Sequence, residues 1–182
     1  MVPSLSVSLP PQRPLAQQMG KVVWRGILLR IQGVDTAWAA RCPVTMASVP
    51  KDSPFVMFSV LEPGEQIEAH KGEYHSVLRY HLALYAPENP SAFLLVNNIP
   101  YEWKTGDHVM FDDTFLHSVH NPNKEHRIVL FVDVPRPFPR CSWAGFTQWL
   151  VYKVISPRCR SMKETLRLAN EASTCVQRRT VN

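Results

Sequence analysis

Seven histidines, His70, His75, His81, His108, His117, His120 and His126, fall within one 57-residue window of the 182-residue chain, and none lies outside it. Imidazole is largely neutral near pH 7 and is the commonest protein ligand for transition metals. The same window alternates apolar and polar residues, so the expected chemistry is a metal held inside a small β structure. His70 follows the Pro63-Gly64 turn and opens the loop His70-Lys71-Gly72, while His117 closes the run Phe111-Asp112-Asp113-Thr114-Phe115-Leu116-His117. Arg127 follows, at the head of a strand. Period-two geometry puts Val129 and Phe131 on its face and Ile128, Leu130 and Val132 on the other. An arginine on an inward face among valine and phenylalanine is costly unless it meets an anion. A dicarboxylate co-substrate would supply one.

The elements that must position these residues are short strands. Pro54–Leu61, Val77–Tyr85, Ala92–Val96, Ile99–Trp103, Val109–Asp112, Phe115–Val119 and His126–Val134 all alternate or carry bulky β-formers, and proline, glycine and asparagine turns separate them. In Val77–Tyr85, Leu78, Tyr80, Leu82 and Leu84 share one face, and Arg79, His81 and Ala83 share the other. Residues 21–31 fit a short helix or a strand equally well. Some eight strands predict a double-stranded β-helix, a jelly-roll barrel of cupin-like form, with flanking helices. Beyond Pro135-Arg136-Pro137 the period changes. Trp143–Val154 is bulky and apolar, and Ser161–Ala172 reads as a helix capped by Ser161 with Glu164 at its third position.

Three segments follow: a mobile proline-rich lead-in over 1–20, the β domain over 21–140, and a helical, basic extension over 141–182. A chain that is 45% hydrophobic and 19% charged describes a soluble globule. Its net charge of +5 is modest, and no nucleic-acid partner is expected. The four cysteines form no CxxC pair, which favours a reducing compartment. No apolar run reaches the ~20 residues that span a bilayer, and the lead-in lacks the pattern of a signal peptide. The expected location is cytoplasmic, with peripheral membrane contact through the basic extension as an option.

Five blocks resemble the aspartyl/asparaginyl β-hydroxylase family of Fe(II)/2-oxoglutarate dioxygenases in order and spacing. They are Phe58-Ser59-x-x-x-Pro63-Gly64, His70-x-Gly72, Leu78-Arg79-Tyr80-His81-Leu82-Ala83-Leu84, Phe111–His117 and Arg127-Ile-Val-Leu-Phe-Val-Asp133. Ala40-Arg41-Cys42-Pro43 resembles a less constant upstream element. The resemblance implies Fe(II), 2-oxoglutarate and O2 as cofactor and co-substrates, and His70 and His117 as iron ligands and catalytic residues. It also implies Ser59, Arg79, His81 and Arg127 as the shell around 2-oxoglutarate. Gly72 stands where most iron dioxygenases of this fold carry a ligating carboxylate. Water is therefore expected to complete the iron shell, with Asp112 and Asp113 as turn-formers. His75, His108, His120 and His126 are expected outside the metal site, and Tyr101 and Trp103 as packing aromatics.

The implied reaction hydroxylates an unactivated C–H. Gly72 sides with a polar, Asp- or Asn-like β-carbon in a peptide or small molecule. The Arg79-Tyr80-His81-Leu82 segment and the aromatic, basic tail also resemble the family's lipid A hydroxylase branch, for which the substrate is a fatty acyl chain. A cupin-like metal protein without an oxo-acid co-substrate is a further alternative, but it leaves Arg127 and Ser59 without a role.

Overall fold

Side-chain alternation along the chain becomes ten strands: β1 Trp24–Ile31, β2 Val34–Asp35, β3 Phe55–Leu61, β4 Gln66–His70, β5 Val77–Tyr85, β6 Phe93–Val96, β7 Ile99–Glu102, β8 His108–Phe111, β9 His117–His120 and β10 Arg127–Pro135. The computed structural model describes residues 24–72, 74–137, 146–147, 150, 163–171 and 173. Two antiparallel sheets result, one ordered β2-β1-β3-β10-β5-β8 and the other β4-β9-β6-β7. Doubling the chain back on itself at the β6–β7 hairpin reproduces most of this order. β5 then meets β8, β4 meets β9 and β3 meets β10. That pairing is the double-sheet jelly roll expected from the sequence, built as two facing sheets rather than one closed ladder.

The space between the sheets is filled by Leu28, Met57, Leu61, Leu94, Trp103, Val119, Val129 and Phe131. The outer face of the larger sheet carries Leu29, Val56, Leu130 and Val132, packed with Trp38, Val49 and Met46 of the segment that precedes β3. That segment holds a 3-10 turn, Ala39–Arg41, and one short helix, α1 Pro43–Ser48, with proline at its start. Six residues are too few to display a helical period, so α1 could not be read from the sequence. A helix over 163–171 carries the buried Ala169 and Thr165, and the Asn170 Oδ1 accepts the Ala37 N–H at 2.7 Å. The expected Ser161 cap, most of Trp143–Val154 and the 1–20 lead-in lie outside the described residues.

β5 falls on the predicted Val77–Tyr85, and the ambiguous 21–31 segment contributes the strand β1. β4 was not anticipated. It is an edge strand in which Gln66, Glu68 and Ala69 are exposed, and its pairing with β9 shifts register between Ile67 and His70. His70 therefore ends a strand instead of opening a loop. β9 begins at His117, two residues later than the apolar run suggested, because Phe115 N–H closes a turn onto the Asp112 carbonyl at 3.3 Å.

Candidate active site

The β4–β9 ladder sets His70 directly opposite His117, with ring centroids 4.2 Å apart. Each ring is oriented by its own strand. His70 Nδ1 donates to the Glu68 carbonyl at 2.7 Å, and His117 Nδ1 donates to the Phe115 carbonyl at 3.0 Å. A carbonyl can only accept, so both rings carry a proton on Nδ1, which leaves Nε2 as the atom that could face a metal. This is the second-sphere bond that metal-ligating histidines usually make. Burial pushes the His117 pKa down, and the neighbouring His70 adds to the shift, so its ring is held neutral. Among the described residues no three His, Cys, Asp or Glu side chains gather as a metal-binding group. Two imidazoles engaged through Nδ1, with a carboxylate close by, suit a divalent iron that must keep several positions open.

That carboxylate is Asp113. A Cβ placed on Gly72 would lie 2.1 Å from Asp113 Oδ2, so the carboxylate fills the room a side chain at 72 would need. The Gly72 N–H donates to the Asp113 carbonyl at 2.7 Å, which ties the two loops together. Arg79 Nη1 meets Asp113 Oδ2 at 3.0 Å, and Arg79 Nε meets Asp133 Oδ1 at 3.1 Å. The Arg79 guanidinium also lies 4.3 Å from the Phe131 ring centroid. Asp113 Oδ1 is buried with no hydrogen-bond partner. Both aspartates stand in the turn, as expected, Asp112 opening it and Asp113 second, but only the Asp112 side chain caps it. Its Oδ1 accepts from the Thr114 N–H and hydroxyl at 3.1 and 2.7 Å, and its Oδ2 pairs with Arg136. Burial raises the Asp112 pKa, but the bonds from Arg136 and Thr114 outweigh that and hold it below the usual range. The signal for Asp113 was Gly72 itself, since an absent side chain leaves space that something must fill.

Arg127 lies at the other end of the β10 inner face. Register places it opposite Leu61, one pleat from Ser59, which lies opposite Val129. It is 1% exposed, and its Nε and Nη1 are buried with no hydrogen-bond partner. The guanidinium lies over the Trp103 ring, whose centroid is 4.9 Å away. Burial pushes the Arg127 pKa down to about 9, the mark of a cation short of an anion. His81 sits between this end and the histidine pair. Its ring contacts Phe131, Phe111 and Trp103 at centroid distances of 5.1, 5.3 and 5.9 Å, and Phe111 in turn contacts His117 at 5.5 Å. Desolvation, aided by Arg127 and Arg79, holds the His81 pKa well below its usual value, and neither ring nitrogen has a hydrogen-bond partner.

The structure thus gathers all six site residues inferred from the sequence on the inner faces of the two sheets. Four other histidines lie elsewhere. His126 pairs with Glu62 at 3.0 Å, His120 stacks on Phe93 and bonds Ser118, His108 is exposed beside Tyr80, and His75 is exposed in the loop before β5. Trp103 packs as expected, and it also supports Arg127.

An ornithine lipid ester-linked acyl 2-hydroxylase of Rhizobium tropici is 40% identical over 130 residues, 69% of this chain and 46% of that protein. The human aspartate β-hydroxylase domain-containing protein 1 is 40% identical over 83 residues, 44% of this chain and 21% of that one. The human aspartyl/asparaginyl β-hydroxylase is 30% identical over 82 residues, covering 45% of this chain and 11% of its own length. The chain therefore spans less than half the length of each. Among solved structures, the cupin domain of Schizosaccharomyces pombe Cnp3 superposes with a TM-score of 0.44 at 9% identity, covering 66% of this chain and 72% of that one. No helix of the described residues is long and apolar enough to cross a membrane. Residues 6–137 match the family model for aspartyl/asparaginyl β-hydroxylase, and the chain belongs to that hydroxylase family.

Proposed function

We propose that the protein is an Fe(II)- and 2-oxoglutarate-dependent hydroxylase of a lipid acyl chain. The observation that carries the co-substrate is Arg127, a buried guanidinium with unpaired Nε and Nη1 atoms, separated from the histidine pair by His81, Phe111 and Trp103. The Nε2 atoms of His70 and His117 would hold Fe(II). Fe(II) held there would supply O2 activation, with 2-oxoglutarate oxidised to succinate and CO2 while one oxygen atom is inserted into the substrate C–H. The protein's own residues bind and orient. Arg127 takes the far carboxylate of the co-substrate, in the two-pronged manner that suits a guanidinium, with the Ser59 hydroxyl beside it. Neutral His81 offers one donor and one acceptor to the oxo-acid in a pocket that Phe111, Phe131 and Trp103 keep dry. Asp113, fixed by Arg79, places a carboxylate beside the iron ligands and offers Oδ1 to a water there.

On sequence alone, Gly72 weighed toward an Asp- or Asn-like substrate. Asp113 filling the space beside Gly72 offers another reason for the glycine, room for that carboxylate, and so lessens its weight as a sign of substrate. The lipid-hydroxylating relative matches 130 residues at 40% identity, against 82 or 83 for the animal relatives, which supports an acyl chain. An anaerobic titration with Fe(II) and 2-oxoglutarate tests the co-substrate: a visible charge-transfer band is expected in the wild type. His70→Ala and His117→Ala are each expected to abolish the band and turnover while the far-UV circular dichroism is kept. A band of wild-type strength in either variant refutes the ligand assignment.

A further inference from the structure

Trp103 fills space in the core, but one of its atoms has no part in that packing. Tyr101 and Trp103 are two residues apart at the end of β7, so they share a face, and both pack in the core between the sheets. The Trp103 main-chain N–H donates to the Ala92 carbonyl at 3.1 Å, which fixes the residue just past the β6–β7 ladder. The Arg127 guanidinium lies over the indole, Tyr101 meets it at 86° with centroids 6.1 Å apart, and the His81 ring is 5.9 Å away. These contacts use the ring and not its N–H. Trp103 Nε1 is buried and has no hydrogen-bond partner. An indole nitrogen can only donate, and a buried one usually finds an acceptor.

Three adjoining side chains therefore hold buried polar atoms without partners: Arg127 Nε and Nη1, Trp103 Nε1 and both His81 ring nitrogens. They come from β10, the end of β7 and β5, so no single local distortion accounts for them. Unmade interior hydrogen bonds are costly, and neighbouring ones on three elements point to a shared ligand. Arg127 and Trp103 only donate, while neutral His81 offers one donor and one acceptor. The ligand must be rich in acceptors. A carboxylate presents about four lone-pair sites on its two oxygens, and a guanidinium fork uses one on each. Room remains for a third donor, and a neutral N–H supplies it without burying a second charge.

We infer that the Trp103 indole N–H binds the co-substrate, donating to the same far carboxylate of 2-oxoglutarate that Arg127 takes. This rests on the proposed 2-oxoglutarate dependence and adds a residue to it. The test compares 2-oxoglutarate with 2-oxopentanoate, which keeps the chelating oxo-acid end and carries a methyl group in place of the far carboxylate. Each acid is titrated anaerobically into the Fe(II)-loaded full chain and followed by the visible band. Trp103→Phe keeps an aromatic face under Arg127 and removes the N–H. It should bind 2-oxoglutarate about tenfold to a hundredfold more weakly, because a hydrogen bond to a charged group is lost. It should bind 2-oxopentanoate within about twofold of the wild type, whereas lost packing alone would weaken both acids alike. The inference is overturned if the variant binds 2-oxoglutarate as the wild type does, or if both acids weaken equally. If a thermal melt shows the variant unfolded, the wild type decides with Zn(II) in place of Fe(II). One of the five tryptophan indole N–H resonances should then move downfield with 2-oxoglutarate and stay in place with 2-oxopentanoate. No such resonance overturns the assignment. A wild type that gives no band with either acid removes the co-substrate reading and this inference with it. A band that Trp103→Phe titrates unchanged removes only the role of Trp103.

Discussion

Arg79 on β5 and Arg127 on β10 both enter the space between the sheets, and their surroundings differ in kind. Arg79 is held by two carboxylates, Asp113 and Asp133, and lies over Phe131. Arg127 is more deeply buried, yet its Nε and Nη1 meet no acceptor. A buried charge with its partners supplied by the chain serves architecture. One left short of partners raises the cost of folding and is explained by a ligand that arrives later. The two ends also differ in net charge. Two carboxylates face one guanidinium beside the proposed metal ligands, while the Nε and Nη1 of Arg127 face none at the other end.

The contrast breaks most visibly at Arg79. Arg79→Met would leave Asp113 and Asp133 buried without their cation, and stability in urea should fall by about 3–5 kcal/mol. A loss under 1 kcal/mol would mean that solvent reaches both carboxylates. Arg127→Met should move the other way in the absence of co-substrate, gaining about 1–3 kcal/mol as an unpaired buried charge disappears. The same change should weaken 2-oxoglutarate about tenfold to a hundredfold with iron affinity nearly unchanged. If both variants destabilise equally, the distinction between a paired and an expectant arginine is lost. Gly72→Ala should cost about 1–3 kcal/mol through its clash with Asp113, and Asp113→Gly in the same chain should relieve most of that. No relief would show that another group occupies the space.

The smallest effect concerns His81, which lies between the two arginines. Its folded pKa is well below the 6.5 of the free side chain, chiefly through burial, with Arg127 and Arg79 contributing. The unfolded chain takes up a proton as pH falls through 6.5 while the native protein does not, so His81 supports stability above that pH and withdraws it below. The fall should not exceed about 1.4 kcal/mol per pH unit from this one group. His81→Phe should flatten the decline between neutral pH and pH 5, and parallel curves for the two proteins would assign it elsewhere.

Much of the inner face was legible before any coordinates. A period of two put Arg79 and His81 on one face of Val77–Tyr85 and Arg127 on the face of Val129 and Phe131, while the inward sense of the Arg79 face followed from the family resemblance, because the opposite face is the leucine-rich one. What stayed hidden is whatever depends on register between distant segments. Asp133 shares Arg127's parity, but only the β10–β5 ladder, which sets Asp133 opposite Arg79, shows that it neutralises that residue. Asp113 looked like one half of a turn-forming pair because its role depends on the loop at Gly72, 41 residues away. β4 carries a single aliphatic residue facing inward, too little to form a pattern.

The doubling of the chain at the β6–β7 hairpin has a kinetic consequence. β4 and β9, which carry the proposed iron ligands, meet only after the hairpin and the segments on both sides of it have come together, and β3 and β10 close a longer loop still. Because loop-closure entropy must be met before such distant contacts reward it, this protein should refold slowly, in the millisecond-to-second range of all-β domains. No contiguous fragment shorter than the span from β4 to β10 contains both the histidine pair and Arg127 in paired strands, and Arg127's own partner, Leu61, requires β3 as well. Iron capture during refolding should therefore lag behind the burst of β-structure.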